Sequence, residues 1–98
     1  MKYYLNPSNI FMQEVNILSE KTKKQLAKKL ILVKENPFHN KALTGFKVKL
    51  FRIRFNDNGI EKRAIYSLIN EEIFLIAILK RKHNYRELKS ILEKLSLI

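Results

Sequence analysis

Apolar side chains recur every three or four residues in the first third of the chain and again at its end, whereas they alternate or run continuously in between. The first spacing is typical of amphipathic helices and the second of strands. Two helices are predicted between residues 7 and 36, the second starting after Ser19 and ending at the Asn36-Pro37 pair, and a third is predicted over Tyr85–Leu97. The predicted strands are Lys2–Leu5, Phe46–Phe55, Glu61–Leu68 and Ile73–Leu79.

This order, β-α-α-β-β-β-α, predicts an α+β fold. An N-terminal helical hairpin would pack on a mainly antiparallel, twisted sheet, and a C-terminal helix would end the chain. Residues 56–59 read Asn-Asp-Asn-Gly, a strong hairpin signal. A shift of apolar phase at Leu50-Phe51 favours a β-bulge there, and Ile73–Leu79 is apolar on both faces, as in a central strand that is covered on both sides. The 98 residues are enough for one domain, assigned to residues 1–98.

The formal net charge of +11 points to a polyanionic partner. Nucleic acid, an anionic membrane surface or an acidic protein would each fit. The absence of cysteine excludes disulfides and thiolate metal sites. The longest apolar run is Ile73–Leu79, too short to span a bilayer, and the N-terminus lacks a signal-peptide pattern. A cytoplasmic location without a membrane partner is therefore expected.

Four of the five arginines lie in or beside the strand-like runs. Side chains alternate along a strand, so Arg52 and Arg54 share one face, while Phe51, Ile53 and Phe55 take the other. Adjacent strands are only about 4.8 Å apart, so matching registers would gather the guanidinium groups into one rigid anion site. The candidate anion-binding arginines are Arg52, Arg54, Arg63 and Arg81. The lysines that flank the same runs, as candidate phosphate-binding residues, are Lys47, Lys49, Lys80 and Lys82.

Tyr85 and His83 are the candidate acid–base residues beside Arg81. Neighbouring cations favour a phenolate, and histidine titrates near neutral pH. The alternatives are an aromatic anchor for the last helix and an exposed loop histidine. The sequence has no D-x-D, no HExxH and no paired carboxylates, which two-metal phosphodiester chemistry requires. If the chain cuts nucleic acid, the expected reaction is metal-free cleavage of RNA, in which the 2′-hydroxyl is the nucleophile. No metal and no cofactor are therefore expected.

Three motifs resemble those of the RelE/ParE superfamily of toxins. They are Ala42-Leu43-Thr44-Gly45 followed by Leu50-Phe51-Arg52-Ile53-Arg54, then Lys62-Arg63-Ala64-Ile65-Tyr66, then the segment from Ile76 through Lys80-Arg81-Lys82-His83-Asn84-Tyr85. In the family, a Leu-x-Gly precedes a Leu-Tyr-Arg-Leu-Arg strand, a Tyr-Arg-Val-Leu-Tyr strand follows, and a basic strand end is followed by a tyrosine. The predicted element order also resembles that fold, and the RelE-like branch fits best.

The resemblance implies a small basic toxin that enters the ribosomal A site and cuts mRNA there without metal. Carried over by position, Arg52 and Arg54 match the paired basic residues on the first strand of the family's antiparallel meander. Arg63 matches a residue on the next strand that stabilises the transition state. Arg81 matches the phosphate-binding arginine and Tyr85 the tyrosine that stacks or transfers protons. The list of candidate catalytic residues is therefore Arg54, Arg63, Arg81, His83 and Tyr85.

One departure from the family concerns the general base. Arginine is a poor base, since its pKa lies above about 12, so proton abstraction would fall to Tyr85 or His83. Other branches use a histidine with a glutamate, and no glutamate partner for His83 is evident on the strand face.

Two other functions remain open from the sequence. One is a ParE-type inhibitor of DNA gyrase, and the other is a non-catalytic basic RNA-binding module. Under either toxin hypothesis, RelE-like or ParE-type, the expected partner is a cognate antitoxin. It would be acidic where it contacts this chain and would bind DNA at one end. The RelE-like reading adds the ribosome and mRNA as partners.

Overall fold

The computed structural model describes residues 3–80 and 85–97, and it has the predicted α+β architecture. The sheet has five strands in the order β1-β5-β4-β3-β2; β1 runs parallel to β5 and the other neighbours are antiparallel. None of the helices in the described residues is long and apolar enough to cross a bilayer. The elements are β1 (Tyr4–Pro7), α1 (Asn9–Asn16), α2 (Glu20–Glu35), β2 (Ala42–Leu43), β3 (Leu50–Asp57), β4 (Ile60–Ile69), β5 (Glu72–Lys80) and α3 (Tyr85–Lys94).

The start of α1 is fixed by one buried hydroxyl that serves two backbone groups. Ser8 Oγ accepts a hydrogen bond from the N–H of Phe11 at 3.0 Å, as an N-cap does. The same oxygen donates to the carbonyl of Ile76 at 2.7 Å. The pairing of β4 with β5 shifts between Ile65 and Tyr66, which leaves Ile76 as an extra residue of β5. Ser8 therefore provides a hydrogen-bond partner both for a carbonyl at the irregular point of the sheet and for an N–H in the first turn of α1.

The predicted bulge at Leu50-Phe51 is wrong, because β3 begins only at Leu50. Phe46 and Val48 precede the strand and pack with Leu50 in the apolar cluster on the α3 side of the sheet. Phe51 points to the other side, toward the helical hairpin. The change of apolar phase thus marks the beginning of the strand. The two-residue strand β2 was also not predicted.

Apolar clusters cover both faces of the sheet. Phe11, Leu26 and Val33 of the hairpin region pack on one face, and Leu88 and Leu92 of α3 pack on the other. β5 contributes to both clusters, as its continuous apolar run predicts. It lies between β1 and β4, however, so the middle strand of the five is β4.

The turn between β3 and β4 is tied to the start of α2. Asn58 and Gly59 have φ values of 51° and 83°, which suit a two-residue hairpin loop. Asp57 accepts a hydrogen bond from the hydroxyl of Thr22 at 2.8 Å, and its other oxygen lies 3.3 Å from Lys62 Nζ. The bond from Thr22 is the main reason why the pKa of Asp57 lies below its usual value. α2 is thereby held against the hairpin that carries the candidate site.

The loop after α2 is held by a buried tyrosine. Tyr66 stacks on Phe51 with ring centroids 5.1 Å apart, and its hydroxyl donates to the carbonyl of Pro37 at 2.7 Å. Asn40 donates to the same hydroxyl at 3.2 Å. Burial raises the pKa of Tyr66, while the bond from Asn40 opposes that shift. These contacts fix where the chain leaves α2 and approaches the edge of β3.

Candidate functional site

Three of the predicted arginines share one face of the sheet. Arg54 lies directly opposite Arg63 in the pairing of β3 with β4, and Arg52 lies opposite Ile65, one side-chain repeat further along. Ile65 belongs to the cluster on the α3 side, so Arg52, Arg54 and Arg63 project from that side; we call them the arginine face. The predicted convergence of strand arginines is confirmed for these three residues.

The arginines of this face differ in their access to water. The Arg63 side chain is only 12% exposed, whereas that of Arg54 is 56% exposed. Arg52 Nε is buried and donates no hydrogen bond to any group in the described part of the chain. A buried N–H donor without a partner is uncommon in proteins. The arginine face therefore offers an anion both buried and solvent-exposed N–H donors.

Glu61 supplies a carboxylate on the same face. Its Oε2 lies 3.3 Å from Arg54 Nε and 3.9 Å from Arg63 Nη2. Like charges directly opposite each other in a sheet repel, and this carboxylate offsets the repulsion. The sequence showed no evident glutamate partner for His83 on the strand face; the structure places Glu61 on the arginine face, while His83 lies outside the described residues. Glu61 precedes Arg63 by two residues, so the period of a strand already placed both side chains on one face.

A basic groove runs along the open edge of β3. β2 pairs only with Leu50 and Phe51, so the rest of this edge carries no neighbouring strand among the described residues. Two cavities of about 540 Å³ and about 370 Å³ follow it, and Lys29 and Arg54 line both. We call them together the edge groove; its other basic linings are Lys21, His39, Lys41 and Arg52.

The lysines of α2 could not be assigned to this groove from the sequence. Their helical spacing is also that of an ordinary solvated face. Only the packing of α2 beside β3 places Lys21 and Lys29 in the lining of the same groove as Arg54. No local signal in the sequence could have found them.

Two of the predicted phosphate-binding lysines do not join the arginine face. Lys49 Nζ lies 5.7 Å and 5.9 Å from the ring centres of Phe38 and Phe51, on the helical-hairpin side. Lys80 pairs with Lys62, whose amine contacts Asp57 on that side. Lys47 is exposed in the segment before β3. The late start of β3 and the register of β5 explain these placements.

The remaining predicted residues lie beyond what the structure describes. Arg81, Lys82 and His83 fall outside the described residues. Tyr85 is the first residue of α3, but its side chain is not described. Their proposed roles stay predictions.

Comparison with solved structures identifies the architecture. An arginine-to-alanine double mutant of E. coli toxin RelE in the free state matches with a TM-score of 0.76 and 24% identity, over 96% of this chain and 98% of that one. The RelE-like fold is therefore established. The motif resemblance found in the sequence is confirmed at this level.

Two complexes extend the RelE comparison. The intact E. coli RelBE toxin–antitoxin complex matches with 29% identity and a TM-score of 0.69, over 83% of this chain and 99% of that chain. The archaeal RelE–RelB complex from Pyrococcus horikoshii has 18% identity and a TM-score of 0.66, over 85% and 99%. No protein-family model and no curated protein matches the sequence.

Proposed function

We propose that this chain is the toxin of a type II toxin–antitoxin system, acting through one domain over residues 1–98. In this proposal it is a ribosome-dependent endoribonuclease that cuts mRNA without metal. The observation that carries the proposal is the arginine face, set on a sheet with the RelE fold. The 29% identity to the toxin–antitoxin complex RelBE supports the same class.

The proposed reaction is attack by a 2′-hydroxyl on the adjacent phosphate. The 2′-oxygen loses its proton to a base and forms a bond to phosphorus. The bond from phosphorus to the 5′-oxygen then breaks, and that oxygen takes up a proton. The products are a 2′,3′-cyclic phosphate and a 5′-hydroxyl. Because DNA lacks the 2′-hydroxyl, this chemistry selects RNA.

The arginines would bind the phosphate and stabilise the charge that develops on it. Arg52 and Arg54 lie at the edge groove, where an RNA backbone would enter. Arg63 is the more buried cation, and a fixed charge in a site with little water stabilises a transition state most. In the proposal Arg81 adds a further phosphate contact, and Tyr85 or His83 transfers the protons that an arginine cannot.

The proposed antitoxin partner is consistent with the surface of the helical hairpin. Ile17, Ile31 and Leu32 are 72%, 58% and 64% exposed, so the hairpin presents apolar side chains to solvent. An acidic, amphipathic segment would cover these side chains and meet the surrounding lysines of a chain with net charge +11. The E. coli RelBE structure is a complex of a toxin with its antitoxin.

A cleavage assay on programmed ribosomes tests the proposal. The purified protein is incubated with ribosomes that carry an mRNA in the A site, and the RNA ends are mapped. We expect a cut within the A-site codon that leaves a 2′,3′-cyclic phosphate and that persists in EDTA. The double variant Arg81→Ala, Tyr85→Ala should lose this cut while retaining its melting temperature.

Two outcomes would overturn the proposal. If translation continued while DNA supercoiling by gyrase was inhibited, the hypothesis of a ParE-type gyrase inhibitor would replace it. If the protein bound ribosomes but left the mRNA whole, the non-catalytic RNA-binding reading would replace it. A double variant as active as the wild type would reject the assigned residues alone.

A further inference from the structure

We infer that Glu61 is an internal counter-anion that limits how strongly the arginine face binds RNA. An incoming phosphate would have to displace the contact between Glu61 and Arg54. The inference rests on the proposed function in taking RNA as the ligand. It concerns binding affinity, however, and does not require cleavage.

The geometry places the carboxylate where a phosphate oxygen would otherwise lie. Glu61 pairs with Asn56, two residues nearer the hairpin turn than the pair Arg54 and Arg63. Its Oε2 is buried and accepts no hydrogen bond from the residues that the structure describes. It contacts both guanidinium groups, and it is the acidic side chain that the ion pairs of this face share. One carboxylate thus offsets the charge of two arginines.

The contacts are loose enough to be exchanged for a ligand. Charge-assisted hydrogen bonds are typically about 2.7–2.9 Å long, whereas the carboxylate oxygen lies 3.3 Å from Arg54 and 3.9 Å from Arg63. The Arg54 side chain is 56% exposed, so it can leave Glu61 at little cost. Arg63 is 12% exposed and would stay in place. Both Glu61 and Arg54 line the edge groove, from which an RNA backbone can reach them.

The expected consequence is selection for a ligand that makes several contacts at once. Glu61 repels a phosphate and lowers the positive potential of the face, so a short free RNA gains little there. Lys21, Lys29 and Lys41 along the groove add further cationic contacts. A large RNA assembly can use many contacts together, and their combined effect outweighs one unfavourable charge.

The variant Glu61→Gln tests the inference against a matched control. Glu71→Gln removes the same charge from an exposed residue in the turn between β4 and β5, at the opposite end of the sheet from the Asn58-Gly59 turn. Binding of a fluorescent, uncleavable 2′-deoxy-substituted RNA is measured by anisotropy over a range of salt concentrations. Glu61→Gln should bind about tenfold more tightly at low salt, with a salt slope steeper by about 0.7. Glu71→Gln should change the affinity less than about twofold, because salt screens a distant exposed charge.

A double variant tests whether Glu61 acts through Arg54, and a spectroscopic measurement on the wild-type protein covers the case in which Glu61→Gln disturbs the fold. In the Arg54→Gln background, Glu61→Gln should raise the affinity much less, because its main exchangeable partner is gone. In the wild-type protein, the Nε–Hε resonance of Arg54 should shift as the RNA is added. Equal affinities of Glu61→Gln and Glu71→Gln, or an unchanged Arg54 resonance in the RNA-bound protein, would overturn the inference. A wild-type protein that bound this RNA but cut no mRNA on programmed ribosomes would instead overturn the proposed function and leave the inference standing.

Discussion

Arg54 and Arg63 face each other across two strands, but only one of them is shielded from water. This difference predicts unequal losses of cleavage when each is replaced by glutamine. Two unit charges about 4 Å apart attract by about 4 kcal/mol at an effective dielectric constant near 20, and by about 1 kcal/mol in bulk water. The 12% exposed Arg63 belongs nearer the first case and the 56% exposed Arg54 nearer the second. The expected losses are about 10³-fold for Arg63→Gln and about fivefold for Arg54→Gln.

The assay is single-turnover cleavage on programmed ribosomes with the protein in excess, so that the rate reports the chemical step and not binding. Melting temperatures of both variants serve as the control for folding. Arg63→Lys should fall between the wild type and Arg63→Gln, because it keeps the charge and loses the planar fork of donors. Equal losses at the two positions would refute the reasoning that exposure sets the size of the effect.

Three further changes test the fold that supports the site. Ser8→Ala removes the cap of α1 and the hydrogen bond to the carbonyl of Ile76, so we expect urea denaturation to show a loss of about 2–3 kcal/mol; a loss under about 0.5 kcal/mol would contradict the double role of this hydroxyl. The pKa of Asp57 is lowered chiefly by the hydrogen bond from Thr22, so the contribution of Asp57 to stability is present above the unfolded-state pKa of about 4 and is lost as the pH falls through the lower folded-state pKa. Asp57→Asn should therefore reduce the loss of unfolding free energy at acid pH, as measured by denaturation curves recorded at several pH values. An unchanged loss at acid pH would assign it to other groups. Tyr66→Phe leaves a buried carbonyl without its donor, and calorimetry should show a loss of about 1–2 kcal/mol, whereas no loss would mean that water replaces the hydroxyl.

Local signals in the sequence located most of the elements. Ser19 caps α2 as its position before a helical pattern predicts, and Asn36 ends that helix because the following proline disfavours the α conformation. The Asn58-Gly59 pair forms the turn between β3 and β4. These features are readable because each depends on the backbone preferences of a few neighbouring residues.

Part of the candidate site could likewise be predicted from local sequence signals. The period of a strand places Arg52 with Arg54, and Glu61 with Arg63, before any pairing is known. A two-residue turn at Asn58-Gly59 then sets the register that brings Arg54 opposite Arg63. The predicted strand Glu61–Leu68 contains both Glu61 and Arg63, so their common face follows from the sequence, whereas the contact of Glu61 with Arg54 depends on the pairing of β3 with β4.

Local sequence signals therefore predict the order of all elements except β2, the cap of α2, the hairpin turn, and the shared side of Arg52 and Arg54 on β3. Three features depend on the folded chain: β3 begins at Leu50, Ile76 is the extra residue of β5, and Lys29 and Arg54 line the same groove. The two groups of features differ in the range of the interactions that produce them. Turn and capping preferences act between near neighbours, whereas the register of β5 and the position of α2 follow from packing between segments that are distant in sequence.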